Sequence, residues 1–283
     1  MRVLTCRRRL ARCPMTLSFV LFLFLVHLGV GIVLTLLLVE KVAGVKFFRF
    51  NSGFAATLLL IALAMRPDEV ALGSGVHGIG LAALICSTGS LLVYWATIGR
   101  VLAWLRPGWL WLAGLSGVGA VVAQAIAAAG DAGSLLVAGV TVASFLTSMA
   151  LLGGTSTALV LGHWYLVLPS MEISLLQSIV KFHIGATILR ILVVAGVVWW
   201  AITAADLPGP GFARYVLWLA GVFFWQRILF GLLGPVVLAY MTWETAKIRS
   251  TQSATGILYV DFFTVIVGEV LAKYILVATS VPV

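Results

Sequence analysis

Arg190, Arg227, Asp261 and Glu269 stand inside stretches of sequence otherwise apolar enough to cross a bilayer. Ionisable groups at that depth are retained only where something compensates them, so they mark ion or proton pathways and ligand sites. His163 and His183 lie in the same stretches, and an imidazole changes charge near neutral pH. The six residues are therefore candidates for ligand binding or proton transfer: arginine to stabilise an anionic group, histidine with a carboxylate to move a proton. No catalytic role is assigned. The chain has no Walker-type phosphate loop, no Gly-x-Ser-x-Gly elbow, no His-Glu-x-x-His zinc site and no paired-cysteine motif.

The elements that carry these residues follow from composition. Of 283 residues, 62% are apolar and 10% charged, and the mean hydropathy is +1.16, far outside the range of soluble globular chains. Apolar stretches of about 20 residues, the length a helix needs to cross a hydrocarbon core, recur with short polar breaks. The expected fold is all-α, a polytopic transmembrane bundle of about eight spans, at roughly 15–39, 52–66, 77–104, 108–129, 134–168, 172–204, 213–243 and 255–278. The second is the shortest. Turn chemistry separates them at Arg106-Pro107-Gly108, Gly130-Asp131-Ala132-Gly133, Pro169-Ser170 and Pro208-Gly209-Pro210-Gly211. The fifth is long for one untilted span and carries Gly153-Gly154-Thr155-Ser156-Thr157 near its middle. A broken, substrate-exposing helix is one reading of that run, and close helix packing through small residues is the other. The second reading also covers Gly29 with Gly31, Gly114 with Gly117 and Gly119, and Gly231 with Gly234.

The net charge of +9 does not mark a nucleic-acid binder, because the aromatic residues sit in apolar runs and not among the basic ones. Connections after odd-numbered spans hold Lys41, Lys46, Arg49, Arg100, Arg106, Lys247 and Arg249, whereas those after even-numbered spans hold Arg66 and Arg214. By the positive-inside rule the odd connections are cytoplasmic and both termini lie outside. Arg2, Arg7, Arg8, Arg9 and Arg12 argue the reverse for the N-terminus. Translation from Met15 removes the conflict, dividing the chain into a basic leader at 1–14 and a single transmembrane domain at 15–283. The run from Leu17 to Val39 has no small-residue cleavage site and reads as a retained span. A disulfide is geometrically open only to Cys6 with Cys13, since Cys86 falls inside a span.

Counting 1.5 Å per helical residue from the odd-connection face puts His163 roughly 8 Å deep, His183 and Asp261 about 9 Å, His27 about 18 Å, and Arg190, Arg227 and Glu269 about 20 Å. That layout predicts one polar pocket open to the cytoplasmic face. His183, Thr187 and Arg190 share a stripe of the sixth helix, as do Asp261, Thr264 and Gly268 on the eighth, and Glu269 has Lys273 and Arg227 as competing partners. One buried arginine costs about 2.5 to 3.5 kcal/mol to insert, which about ten surrounding Leu, Ile, Val or Phe residues offset. Unpaired charge after folding is the larger cost, so Arg190 and Arg227 are each expected to contact Asp261, Glu269 or a polar ligand.

A b-type haem in a bundle needs two imidazoles facing each other at compatible depth; His163 and His183 fit that depth, with His27 as a deeper alternative, and no other metal site is expected. His77 and the run Gly162-His163-Trp164-Tyr165 also suit the membrane interface. Lys46-Phe47-Phe48-Arg49-Phe50-Asn51 and Glu244 to Gln252 form a polar surface on the odd face, suited to headgroups or a cytoplasmic partner. Three function classes result for a protein of, by expectation, a bacterial plasma membrane. The first is a quinone- or haem-associated membrane subunit of a redox complex, working with partner subunits. The second is a small transporter for an anionic or proton-coupled solute. The third is a structural or assembly protein whose buried charges fix helix pairing.

Overall fold

The computed structural model describes every residue outside 1–16, 40–42, 69, 74, 100–103, 105, 131–133, 169–170, 204–211 and 219–220. The leader, Met15, the Cys6 and Cys13 pairing, Lys41, Arg100 and the turn residues at 131–133, 169–170 and 208–211 lie outside the described residues.

The described chain is helical: α1 (Leu17–Leu38), α2 (Gly44–Ala64), α3 (Val76–Thr97), α4 (Arg106–Ala129), α5 (Leu135–Val167), α6 (Ser174–Thr203), α7 (Phe212–Leu217), α8 (Val222–Ile228), a π-helical turn (Leu229–Leu233), α9 (Gly234–Lys247) and α10 (Thr251–Thr279). Eight helical stretches are long and apolar enough to cross a membrane, with α8, the π turn and α9 acting as one. The chain is a multi-pass membrane protein. Helices satisfy their own backbone hydrogen bonds, which is the requirement lipid imposes. Apolar side chains such as Leu115, Leu192, Trp199 and Phe263 point outward and form the surface that meets lipid.

α1 is apolar on every side and accordingly lies inside the bundle, packed on α2, α4, α5 and α10. α5 is the second central helix, touching α1, α4, α6 and α10. It begins at Ser134, whose Oγ accepts the Val137 N–H at 3.3 Å, a side-chain N-cap. α5 is unbroken, so the packing reading of its glycine run holds. A Cβ on Gly31 would lie 2.3 Å from the Met149 carbonyl, and one on Gly153 would lie 2.2 Å from Gly31, so these two helices touch backbone to backbone. Thr35 ties the same seam, 2.5 Å from the Thr157 hydroxyl.

The second span corrects the sequence reading. It starts at Gly44 and takes in Lys46 to Asn51, because Phe47 and Phe48 bury themselves and Asn51 Nδ2 donates back to the Phe47 carbonyl. Only the polar edge of that run remains at the membrane entrance, with Arg49 lying over the Trp95 ring at 5.6 Å.

Candidate functional site

Four helices converge on one carboxylate, and a fifth touches one of its partners. Glu269 of α10 receives Arg190 Nε of α6 at 3.0 Å and Arg227 Nη2 of α8 at 2.7 Å, both on Oε1. Its Oε2 receives Arg190 Nη2 at 3.3 Å, Ser148 Oγ of α5 at 2.5 Å and Lys273 Nζ, one turn along α10, at 3.4 Å. Lys273 also donates to Ser148 Oγ at 2.6 Å, and His27 Nδ1 of α1 lies 3.2 Å from that oxygen. All of these groups are buried. The expected pairing of both arginines is present, and Glu269, for which Lys273 and Arg227 compete, takes both.

The two arginines are not equivalent. A guanidinium has five N–H donors. Arg190 uses all of them: Nε and one Nη2 hydrogen on Glu269, the other Nη2 hydrogen on the Val283 backbone oxygen at 3.1 Å, and Nη1 on the Ser144 carbonyl at 2.9 Å and hydroxyl at 2.8 Å. Arg227 makes two such bonds, to Glu269 and, through Nη1, to the Gly231 carbonyl at 2.9 Å; its Nε has no partner among the described residues. The Gly231 bond has a sequence cause. In an α-helix that carbonyl would accept the N–H of residue 235, which is a proline and has none. The helix widens into the π turn at this point, and the arginine side chain takes the vacant acceptor.

Ser148 fixes the protonation of its neighbour. Its single hydroxyl hydrogen goes to Glu269, so it can only accept from Lys273 and from His27. The neutral ring that fits is the Nδ1–H tautomer, which leaves His27 Nε2 as a bare, buried acceptor with no partner among the described residues. Phe145 closes the other side of the ring, edge-on at 4.8 Å.

A second polar layer lies toward the odd face. His183 Nε2 of α6 approaches Asp261 Oδ2 of α10 at 2.7 Å, an ion-pair distance without hydrogen-bond alignment, and Thr155 Oγ1 of α5 donates to the same oxygen at 3.3 Å. Its spacing from the first layer repeats on three helices: residues 148 and 155, 183 and 190, and 261 and 269. Two helical turns, about 10 to 12 Å, separate the layers.

The single pocket expected from the sequence is thus corrected to two occluded layers. Glu269, Arg227 and Lys273 lie nearer the face reached by the even connections than depth counting placed them, because α10 begins at Thr251 and α8 at Val222. His163 joins neither layer. It is exposed, with Nδ1 3.3 Å from the Tyr259 hydroxyl. Tyr259 and Asp261 are two residues apart on α10, about 200° round the helix, so His163 and His183 approach α10 from opposite faces. His27 faces Ser148. These placements do not bring two imidazoles together for a b-type haem, and among the described residues no three His, Cys, Asp or Glu side chains cluster as a metal site.

A cavity of about 580 Å³ opens on the even face, opposite to the expected mouth. Its floor includes Leu23 and Leu276, each one helical turn from His27 and Lys273 respectively.

Sequence reasoning missed Ser144 and Ser148. Their signal was present: Ser144, Ser148 and Thr155 fall within about 40° of one another on α5, a polar stripe in an apolar span. No family model matches the chain, and no curated protein matches it in sequence.

Proposed function

We propose that the chain is a carrier for a small anionic solute coupled to a proton, working in a bacterial plasma membrane. The observation that supports it is the charge balance of the first layer. Two guanidiniums, which stay charged, and one lysine share a single side-chain carboxylate, so basic side chains outnumber acidic ones in this buried layer. Arg227 adds unspent donors to that surplus. Such an environment favours an anion.

Coupling follows from electrostatics. While Glu269 is ionised it occupies the position an anion would take against Arg227 and Lys273. Protonating it releases both cations, so a proton and an anion stabilise each other's binding and travel together. The His27 Nε2 acceptor, the Ser148 hydroxyl and the Glu269 carboxylate form a connected route for that proton. The His183 and Asp261 pair provides a second protonatable station toward the odd face.

The test is proteoliposome flux with a trapped pH indicator against a panel of small carboxylates and inorganic anions. The expected result is solute-dependent proton movement. Glu269→Gln, which mimics the protonated carboxyl, keeps anion exchange but loses its dependence on the pH gradient. Arg227→Met with wild-type flux, or no solute-dependent flux from folded protein, removes the reading.

One observation favours a structural share for part of the layer. Arg190 has every donor satisfied by the protein, as a fastener between α5, α6 and α10 does. The redox-subunit reading has less support, since its haem version needs the facing histidines that these positions do not supply.

A further inference from the structure

The even-face cavity lies between the starts of α1 and α3 and the ends of α4 and α10, with the turn after α2 over it. Its walls are Phe19, Phe22, Leu81 and Leu84, and its rim carries Arg66 and His77, both exposed. Gln124 of α4 lines it too, and the amide oxygen of Gln124 is buried without a partner among the described residues. A buried amide group left unpaired in an apolar wall is costly unless something else supplies its hydrogen bond. At about 580 Å³ the cavity is in the size range of small-molecule sites.

We propose that this cavity binds an amphipathic weak organic acid, and that it is the entry site for the carrier activity proposed above, on which the second half of this inference rests. An apolar chain or ring fits the Phe and Leu walls. Of the polar lining, which also includes Ser18, Asp68 and Ser280, the carboxyl group engages two members: as the acid it donates to the unpaired Gln124 oxygen, and its carbonyl oxygen accepts from Arg66. His77 beside them takes the proton when the acid ionises. Beneath the floor, one turn beyond Leu23 and Leu276, stand the unpaired His27 Nε2 and the Lys273 ammonium, so both the proton and the anion have their next partner one turn deeper.

The experiment measures octanoate binding to the purified full chain by calorimetry, with octanol and octylamine as neutral and cationic counterparts. Two variants address the cavity. Ala127→Phe fills the space from a half-exposed wall position, and Gln124→Leu removes the unpaired amide, a change that leaves no new buried polar group and so does not threaten folding. The expected result is saturable octanoate binding, at least ten-fold weaker in each variant, with octylamine not competing. Binding that is absent, or unchanged in both variants, overturns the cavity assignment. Flux separates this proposal from the carrier reading. If Ala127→Phe lowers binding and flux together, the cavity is the entry site. If flux survives while binding is lost, the cavity binds the acid but is not the entrance. If binding depends on the cavity and no folded variant or wild type shows flux, the carrier reading falls and the binding site stands.

Discussion

Gly231 in the π turn and Gly268 on α10 meet backbone to backbone: a Cβ on Gly268 would lie 2.2 Å from the Gly231 Cα, and one on Gly231 would lie 2.4 Å from Arg227 Nη1. Gly268 is the residue before Glu269. The shortest ion pair in the first layer, Arg227 Nη2 to Glu269, therefore depends on two residues without side chains. Gly268→Val separates α10 from the π turn, and overpacking of this kind costs about 1 to 3 kcal/mol. Thermal unfolding in detergent should show the loss, while Gly256→Ala on the same helix, where a Cβ meets nothing within 4 Å, leaves the midpoint unchanged or raises it. Equal effects at both positions would show that the contact does not matter.

The unequal use of donors by the two arginines predicts unequal consequences. Arg190→Met removes the group that joins α6 to α5, α10 and the Val283 backbone oxygen and leaves Ser144 and Glu269 short of donors. Breaking one partner of a buried pair costs about 3 to 5 kcal/mol, and its first symptom should be lower stability and yield. Arg227→Met leaves Glu269 still held by Arg190, Lys273 and Ser148, so it should lower stability less and anion affinity more. Comparing unfolding midpoints with anion-induced shifts of those midpoints tests this, and a ranking in the opposite order on both measures would refute it.

How much of this was legible beforehand differs by level. The spans were legible because a 30 Å apolar layer imposes its length on the sequence. The start of α2 was not, because Lys46 and Arg49 lower the hydropathy of a turn whose Phe47 and Phe48 nevertheless bury. Glu269 with its cations was legible because buried charge must pair. Which cation pairs with which atom depends on helix rotation, and on the proline at 235 that frees the Gly231 carbonyl for Arg227. His163 was misplaced because depth along a helix says nothing of azimuth: it shares a level with His183 but faces outward toward Tyr259.

His183 and Asp261 make a second test case, since theirs is the closest contact in the odd-side layer. Groups in one such pair are coupled by about 0.5 to 3 kcal/mol. His183→Asn and Asp261→Asn should therefore be non-additive: each alone leaves a buried partner exposed to desolvation cost, and the double variant recovers part of the loss. Thr155→Val should cost about 1 kcal/mol, the value of one hydrogen bond. Strict additivity in a double-mutant cycle by chemical or thermal unfolding would mean that the pair is not an interacting unit.

Orientation decides from which side the first layer is reached, because Arg227 and Lys273 stand near the ends of their helices on the even face. Seven basic residues lie in or beside the odd connections and two in the even ones, a bias that by the positive-inside rule predicts the odd connections in the cytoplasm and the cavity outside. The five arginines between residues 1 and 14 pull the other way if they are translated. Single cysteines in a cysteine-free background separate the two. Asp68→Cys, at the rim of the cavity, should react with an impermeant maleimide in intact cells, and Gln252→Cys, exposed in the first turn of α10, only after permeabilisation. The reverse pattern would mean that the N-terminal arginines dominate insertion, and that the cavity takes its ligand from the cytoplasm. Repeating the labelling on a version starting at Met15 then tells which: if removing the leader restores the first pattern, the arginines set the orientation, and if it does not, the connections do not follow the positive-inside bias.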